Sequence, residues 1–184
     1  LVFALTLIVL FIYGYQVNGF KDFDKNKRLT SVKNCCFSGD IPIEEIRLKS
    51  AKLNCTMNDT IMTLLGVSLK QYLNKHTKDK TTKSLRVAVP YSLRPPPVKA
   101  PNDFTMNNNF AILPVDFCLE EDFNQGLKLV QTEMNRLKKS TDPWGFNEMT
   151  KVLIGLPGFL KNPILEDNFN KFSFVFSNVP GPTK

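Results

Sequence analysis

Three stretches of this chain read as strands, and their spacing restricts the fold. SLRVAVPYSL (Ser84 to Leu93) and NFAILPVDF (Asn109 to Phe117) follow one another. KFSFVFS (Lys171 to Ser177) comes only after two helical patterns, Glu120 to Lys139 and Trp144 to Leu160, the latter interrupted by Pro157. Two further helical patterns precede the first strand, so the order is α, α, β, β, α, α, β. That order predicts an α/β fold of the layered α+β kind, a mixed β-sheet covered by helices. Pro90 places its strand segment at an edge or an end, and RPPPVKAPNDFTMNNN (Arg94 to Asn109) predicts a long surface loop.

The first helix opens near Asp40, Pro42 and Glu44, carries Ile43, Ile46 and Leu53 near helical spacing, and ends around Asn54. Thr56 then caps a second helix, with Asp59 three residues on to reach back to it. Met57, Ile61, Leu64, Leu65, Leu69, Tyr72 and Leu73 predict a wide buried face on that helix. In the third helix Phe123, Leu127, Val130, Met134 and Leu137 share one side.

Three domains of sequence are expected. Residues 1–20 are hydrophobic, with no charge before Lys21, and about 20 residues at 1.5 Å each approach the roughly 30 Å of a bilayer core. A membrane-spanning or membrane-embedded segment is preferred to a buried core helix; a basic n-region and a small-residue cleavage site, which would mark a secretory signal, are not visible. Residues 21–39 form a basic linker with Lys21, Lys25, Lys27, Arg28 and Lys33, which by the positive-inside bias places residues 40–184 on the cytosolic side. Residue 1 is Leu, and the sequence reads as part of something longer.

The chemistry is bounded by what the residues can supply. There is one histidine, His76, in the lysine-rich loop KHTKDKTTK, where a solvated role is expected, so a mechanism needing two histidines within these residues is excluded. Neither GxGxxG after a strand, nor GxxxxGK[ST], nor GxSxG occurs. Four cysteines (Cys35, Cys36, Cys55, Cys118) form no CxxC pair and read as buried free thiols; no metal site is expected. Asn54-Cys55-Thr56 and Asn58-Asp59-Thr60 match the glycosylation sequon, which matters only in a lumenal chain. The net charge of +7 is spread without interleaved aromatics, which disfavours nucleic acid and suits anionic headgroups or an acidic ligand.

Three features are polar where core residues would be expected: Asn58-Asp59 in the first turn of an apolar helix, VPYSLRP with Ser92 and Arg94 at a strand exit, and SNVPGP (Ser177 to Pro182) ending an apolar strand. Singly these read as a cap, a turn and a strand terminator. Together and in this order they resemble the C-terminal half of the bifunctional wax ester synthase/acyl-CoA:diacylglycerol acyltransferases, over nearly all of Asp40 to Pro182. DIPIEEIRLKSAKLNCTMNDTIMTLLGVSLKQYL resembles the family's two-helix stretch with its Asn-Asp motif, LRVAVPYSLRP its "VPVSLRP"-like strand, and FVFSNVPGP its "NVPGP" motif. NNNFAILPVDF resembles a further strand block, with Asn108-Asn109 in place of the family's Gly-Asn. The hydrophobic start followed by KDFDKNKR is similar to the plant-type members.

The resemblance implies the C-terminal half of a chloramphenicol-acetyltransferase-like fold of two domains with a channel at their interface. It implies acyl transfer from acyl-CoA to a fatty alcohol or diacylglycerol, with acyl-CoA as substrate and no separate cofactor. The catalytic histidine belongs to an HHxxxDG motif of the N-terminal half, a missing partner domain here. On this reading Asn58, Asp59, Ser92, Arg94, Asn178, Pro180, Gly181 and Pro182 support substrate or oxyanion, Phe172, Phe174 and Phe176 line a channel or pack in the core, and the fragment alone is inactive. Association with the endoplasmic reticulum or plasma membrane is expected. A non-catalytic acyl-CoA- or lipid-binding module is the alternative.

Overall fold

The computed structural model describes residues 32–76, 82–94 and 109–179. Among them are five helices and three strands: α1 (Ile43–Lys52), α2 (Met57–His76), β1 (Ser84–Ser92), β2 (Phe110–Cys118), α3 (Phe123–Lys139), α4 (Asp142–Gly155), α5 (Gly158–Asn170) and β3 (Phe174–Val175). The strands form a mixed sheet in the order β2-β1-β3. The α+β class expected from the sequence is therefore present. Of the described residues, those within Leu85–Asp116 and Asn135–Lys184 form one compact unit, and those within Gly19–Ser84 and Phe117–Met134 form a second.

In the first unit β1 and β2 run antiparallel, since Leu93 N donates to Asn109 O at the end where β2 begins, and Arg86 meets Asp116 across the pair (Nε–Oδ1 3.1 Å). Alternation buries Ala111, Leu113 and Val115 of β2 and Leu85 and Val87 of β1, while Ala88, on the opposite face of β1 from Val87, is buried as well. That periodicity follows from side chains pointing to opposite faces of a strand. β2 is an edge of this sheet, which is why Pro114 is tolerated in it. β3 pairs with β1 in parallel, Val87 with Phe174 and Ala88 with Val175. Its ladder is extended at both ends by Ser173 N to Arg86 O (2.8 Å) and Phe176 N to Ala88 O (2.9 Å).

In the second unit α1 packs on α2 through polar side chains. Ser50, buried, shares a hydrogen bond with Thr60 (Oγ–Oγ1 2.7 Å) and donates to Ile46 O. Cys55 Sγ lies 3.2 Å from the same Thr60 oxygen. Asn54, at φ 50°, turns the chain between the two helices, a left-handed position that Asn tolerates better than most residues. Farther along α2, Gly66 faces the end of β2: a Cβ added there would meet the Cys118 carbonyl oxygen at 2.6 Å. Thr63 packs toward Gly126 of α3, where an added Cβ would lie 3.4 Å from Thr63 Cγ2.

The structure corrects several expectations. The wide apolar face of α2 is narrower than its sequence suggests: Leu64 and Tyr72 are each 49% exposed, while Asp59, Thr60, Thr63 and Gly66 are buried. Small and hydroxyl-bearing residues occupy the tight side because they permit close approach and can satisfy their own polar atoms, as Thr63 does with Asp59 O at 2.7 Å. Ile43 and Leu53 of the first helical stretch are exposed, and the buried residue of α1 is Ser50. The pattern from Trp144 to Leu160 is two helices, α4 and α5, broken at Leu156 (ψ 150°) and Pro157, with α5 running on to Asn170. The strand expected over Lys171 to Ser177 contracts to Phe174–Val175. β1 is the central strand, so of the edge and end positions expected for Pro90 the edge is excluded, and exposed Pro90 stands at the end, beyond the pairing to β3. Cys35 and Cys36 are exposed and Cys55 and Cys118 half-buried, so the thiols are not a buried set.

The hydrophobic segment 1–20, most of the linker 21–39 and the loop after Arg94 lie outside the described residues. Among those described, no helix is long and apolar enough to cross a membrane.

The Gly66 contact yields a prediction opposite to helix propensity. Gly66→Ala should lower stability to urea by about 1–3 kcal/mol, because overpacking against a backbone carbonyl outweighs the roughly 1 kcal/mol that Ala gains over Gly in a helix. A rise in stability would contradict the close approach.

Candidate functional site

The Asn-Asp pair stands on the first turn of α2, held by a reciprocal cap. Thr56 Oγ1 accepts from Asp59 N at 3.1 Å, and Asp59 Oδ2 accepts from Thr56 N at 3.0 Å. This arrangement, expected from the Thr-x-x-Asp spacing, satisfies amide donors that a helix start leaves open. Asp59 is 5% exposed, and its Oδ1 has no hydrogen-bond partner. Asn58 is half-buried and donates from Nδ2 to Met62 Sδ at 3.6 Å. A thioether is a weak acceptor. The pair thus divides its work, with Asp59 fixing the helix start and Asn58 presenting a side-chain amide.

The other two features belong to the first unit. Ser92 and Arg94 are exposed at the end of β1, where Arg94 N donates to Ser92 Oγ at 3.3 Å in a short turn. Asn178 is exposed four residues beyond Phe174. Because β1 and β3 are parallel, Ser92, Arg94 and Asn178 leave the sheet at the same end, the carboxyl ends of neighbouring strands. In open sheets that end is where ligands gather. Pro180, Gly181 and Pro182 lie outside the described residues. Phe176 is buried and Phe172 and Phe174 half-buried, the three alternating with exposed Val175.

The remaining candidates are weaker. His76 is exposed and rests on Tyr72 with ring centroids 4.5 Å apart, consistent with a solvated role. Among the described residues no group of His, Cys, Asp and Glu could hold a metal ion. An open depression of about 570 Å³ in the second unit is lined by Lys70 and Lys83 together with Glu120, Glu121 and Asp122. Three carboxylates against two ammonium groups repel an anionic ligand. Residues that sequence reasoning passed over are Ser50, Gly66 and Gly126, which set how α2 is seated; a glycine in mid-helix was the readable signal for Gly66.

If the cap positions Asn58, removing it should be felt as stability. Thr56→Ala should lower stability by about 1 kcal/mol in urea unfolding. An unchanged midpoint would show that the helix start is held by other contacts.

Two comparisons with known proteins find matches. Residues 106–184 match the family model described as the WS/DGAT C-terminal domain. The chain is 23% identical over 164 residues to "Wax ester synthase/diacylglycerol acyltransferase 2" of Arabidopsis thaliana, a match covering 77% of the chain and 34% of that protein. The chain thus spans about a third of the length of the curated relative it matches. No solved structure matches it. The family match takes in β2, α3 to α5, β3 and the Asn178 exit, and over residues 106–184 the chain is similar to the WS/DGAT C-terminal domain, the acyltransferase family its motifs resemble.

Proposed function

We propose that this chain is the C-terminal part of an O-acyltransferase that moves a fatty acyl group from acyl-CoA to a long-chain alcohol or diacylglycerol, giving a wax ester or triacylglycerol. The observation that carries the reading is the shared exit of β1 and β3, which sets Ser92, Arg94 and Asn178 at one end of a parallel strand pair. The family match over residues 106–184 supports the reaction class.

In this reaction the acceptor hydroxyl loses its proton to a general base and attacks the thioester carbonyl. The tetrahedral oxyanion collapses, the C–S bond breaks, and CoA leaves as the thiol once protonated. The base is an imidazole from a histidine motif outside these 184 residues, since His76 is the single histidine here. Asn58 donates to the oxyanion or orients the acyl carbonyl, and the backbone amides of the α2 start add dipole in the same sense. Arg94 offers a charge suited to the phosphates of CoA. The Pro180-Gly181-Pro182 turn holds the chain rigid where it passes the ligand. The enzyme works at the cytosolic side of the endoplasmic reticulum or plasma membrane, without a separate cofactor, and these residues alone are inactive.

The complete gene product, given labelled acyl-CoA with a long-chain alcohol or diacylglycerol, should form the corresponding ester. Asn58→Ala in that protein should lower turnover roughly ten- to a thousandfold with folding intact, the range for one positioned donor. An unchanged rate would remove Asn58 from the site. Acyl-CoA binding without turnover by the complete product would favour a non-catalytic binding module instead.

A further inference from the structure

The first unit carries an apolar feature that acyl transfer does not use. Helices α4 and α5 meet at a two-residue connection, Leu156-Pro157, and the run from Val152 to Leu160 around it contains no charged residue. At this corner Val152 is 68% exposed, Ile154 66%, Phe159 77% and Leu160 47%. A Cβ added at Gly155 would meet nothing within 4 Å, so among the described residues none packs on the corner from that side. Lys151 and Lys161 bound the run, and no acidic residue lies between Met149 and Pro163. Lys151 is shared with Glu148 (Nζ–Oε1 2.6 Å), an exposed pair of the kind that contributes little and leaves the ammonium available.

We propose that this helical corner is a lipid-docking tip that enters an anionic membrane surface, with Val152, Ile154, Phe159 and Leu160 among the acyl chains and Lys151 and Lys161 at headgroup level. The charge pattern selects this occupant. A second copy would oppose two lysine rims of the same sign, whereas anionic headgroups complement both, and the chain's +7 charge adds attraction. Interfacial helices of this kind bury their apolar side about 5–10 Å deep, within reach of a corner of this length. The inference is independent of the proposed reaction and of residues 1–20.

The test places the chain's single tryptophan at the tip, using the full chain with Trp144→Phe and Ile154→Trp. On vesicles of phosphatidylcholine and phosphatidylserine the emission should shift to the blue and be quenched by brominated acyl chains. The partition should be weaker on phosphatidylcholine alone. Adding Val152→Asp and Phe159→Asp should lower the partition coefficient at least about tenfold with an unchanged circular dichroism spectrum, since both side chains are exposed. Two results would overturn the proposal. One is a vesicle-bound chain whose tip emission does not move, which would place the anchor elsewhere. The other is a blue shift without lipid that grows with protein concentration alongside a doubled mass, which would assign the corner to a second copy.

Discussion

Two residue pairs in parallel register, Val87 with Phe174 and Ala88 with Val175, decide what the first unit can present. Parallel strands cannot be joined by a tight turn, and the chain spends α3, α4 and α5 between β2 and β3 before returning beside β1. The consequence is geometric. Motifs more than eighty residues apart, Ser92 to Arg94 and Asn178, leave the sheet at one end, where an antiparallel return would have put them at opposite ends. A two-residue strand is enough for this because neighbouring hydrogen bonds from Ser173 and Phe176 lengthen the ladder beyond it.

In the second unit the comparable constraint is closeness. Gly66 lets α2 lie against the Cys118 carbonyl at a distance no side chain would allow, while at Gly126 of α3 an added Cβ would meet Thr63 of α2 at an ordinary contact distance of 3.4 Å. Close packing of helices through small residues leaves little room for adjustment. The Thr56–Asp59 cap then fixes the first turn, so that Asn58 projects from a helix seated by backbone contact. A positioned amide depends on such support, because a donor displaced by even an ångström stabilises an oxyanion poorly.

What the sequence made legible follows from which forces act locally. The buried side of α3, with Leu127, Val130, Met134 and Leu137, was readable because its apolar residues recur at helical spacing and its opposite side is polar. The cap at Thr56 was readable because it closes within four residues. The tight side of α2 was not, since Thr60, Thr63 and Gly66 are buried for their size and hydrogen bonding, properties that hydrophobic spacing does not register. The thiols depart from a buried set for a related reason: Cys35 and Cys36 sit in an exposed stretch, and their chemical type alone says nothing of burial. The length of β3 was set by pairing to a strand far away in sequence. The site motifs were recognisable as a set, while the common exit of two of them became visible only from the direction of β3 relative to β1.

The direction of β3 relative to β1 can be measured directly. Spin labels at Ser92→Cys and Val179→Cys, in a chain whose four native cysteines are replaced by alanine, report it through their dipolar coupling. Parallel pairing places the two backbones a strand spacing or two apart, on the order of 10 Å, and strong line broadening is the expected result. A separation near the length of β1, about 30 Å for nine residues, would mean that β3 runs the other way, and the shared exit of Ser92, Arg94 and Asn178 would be lost.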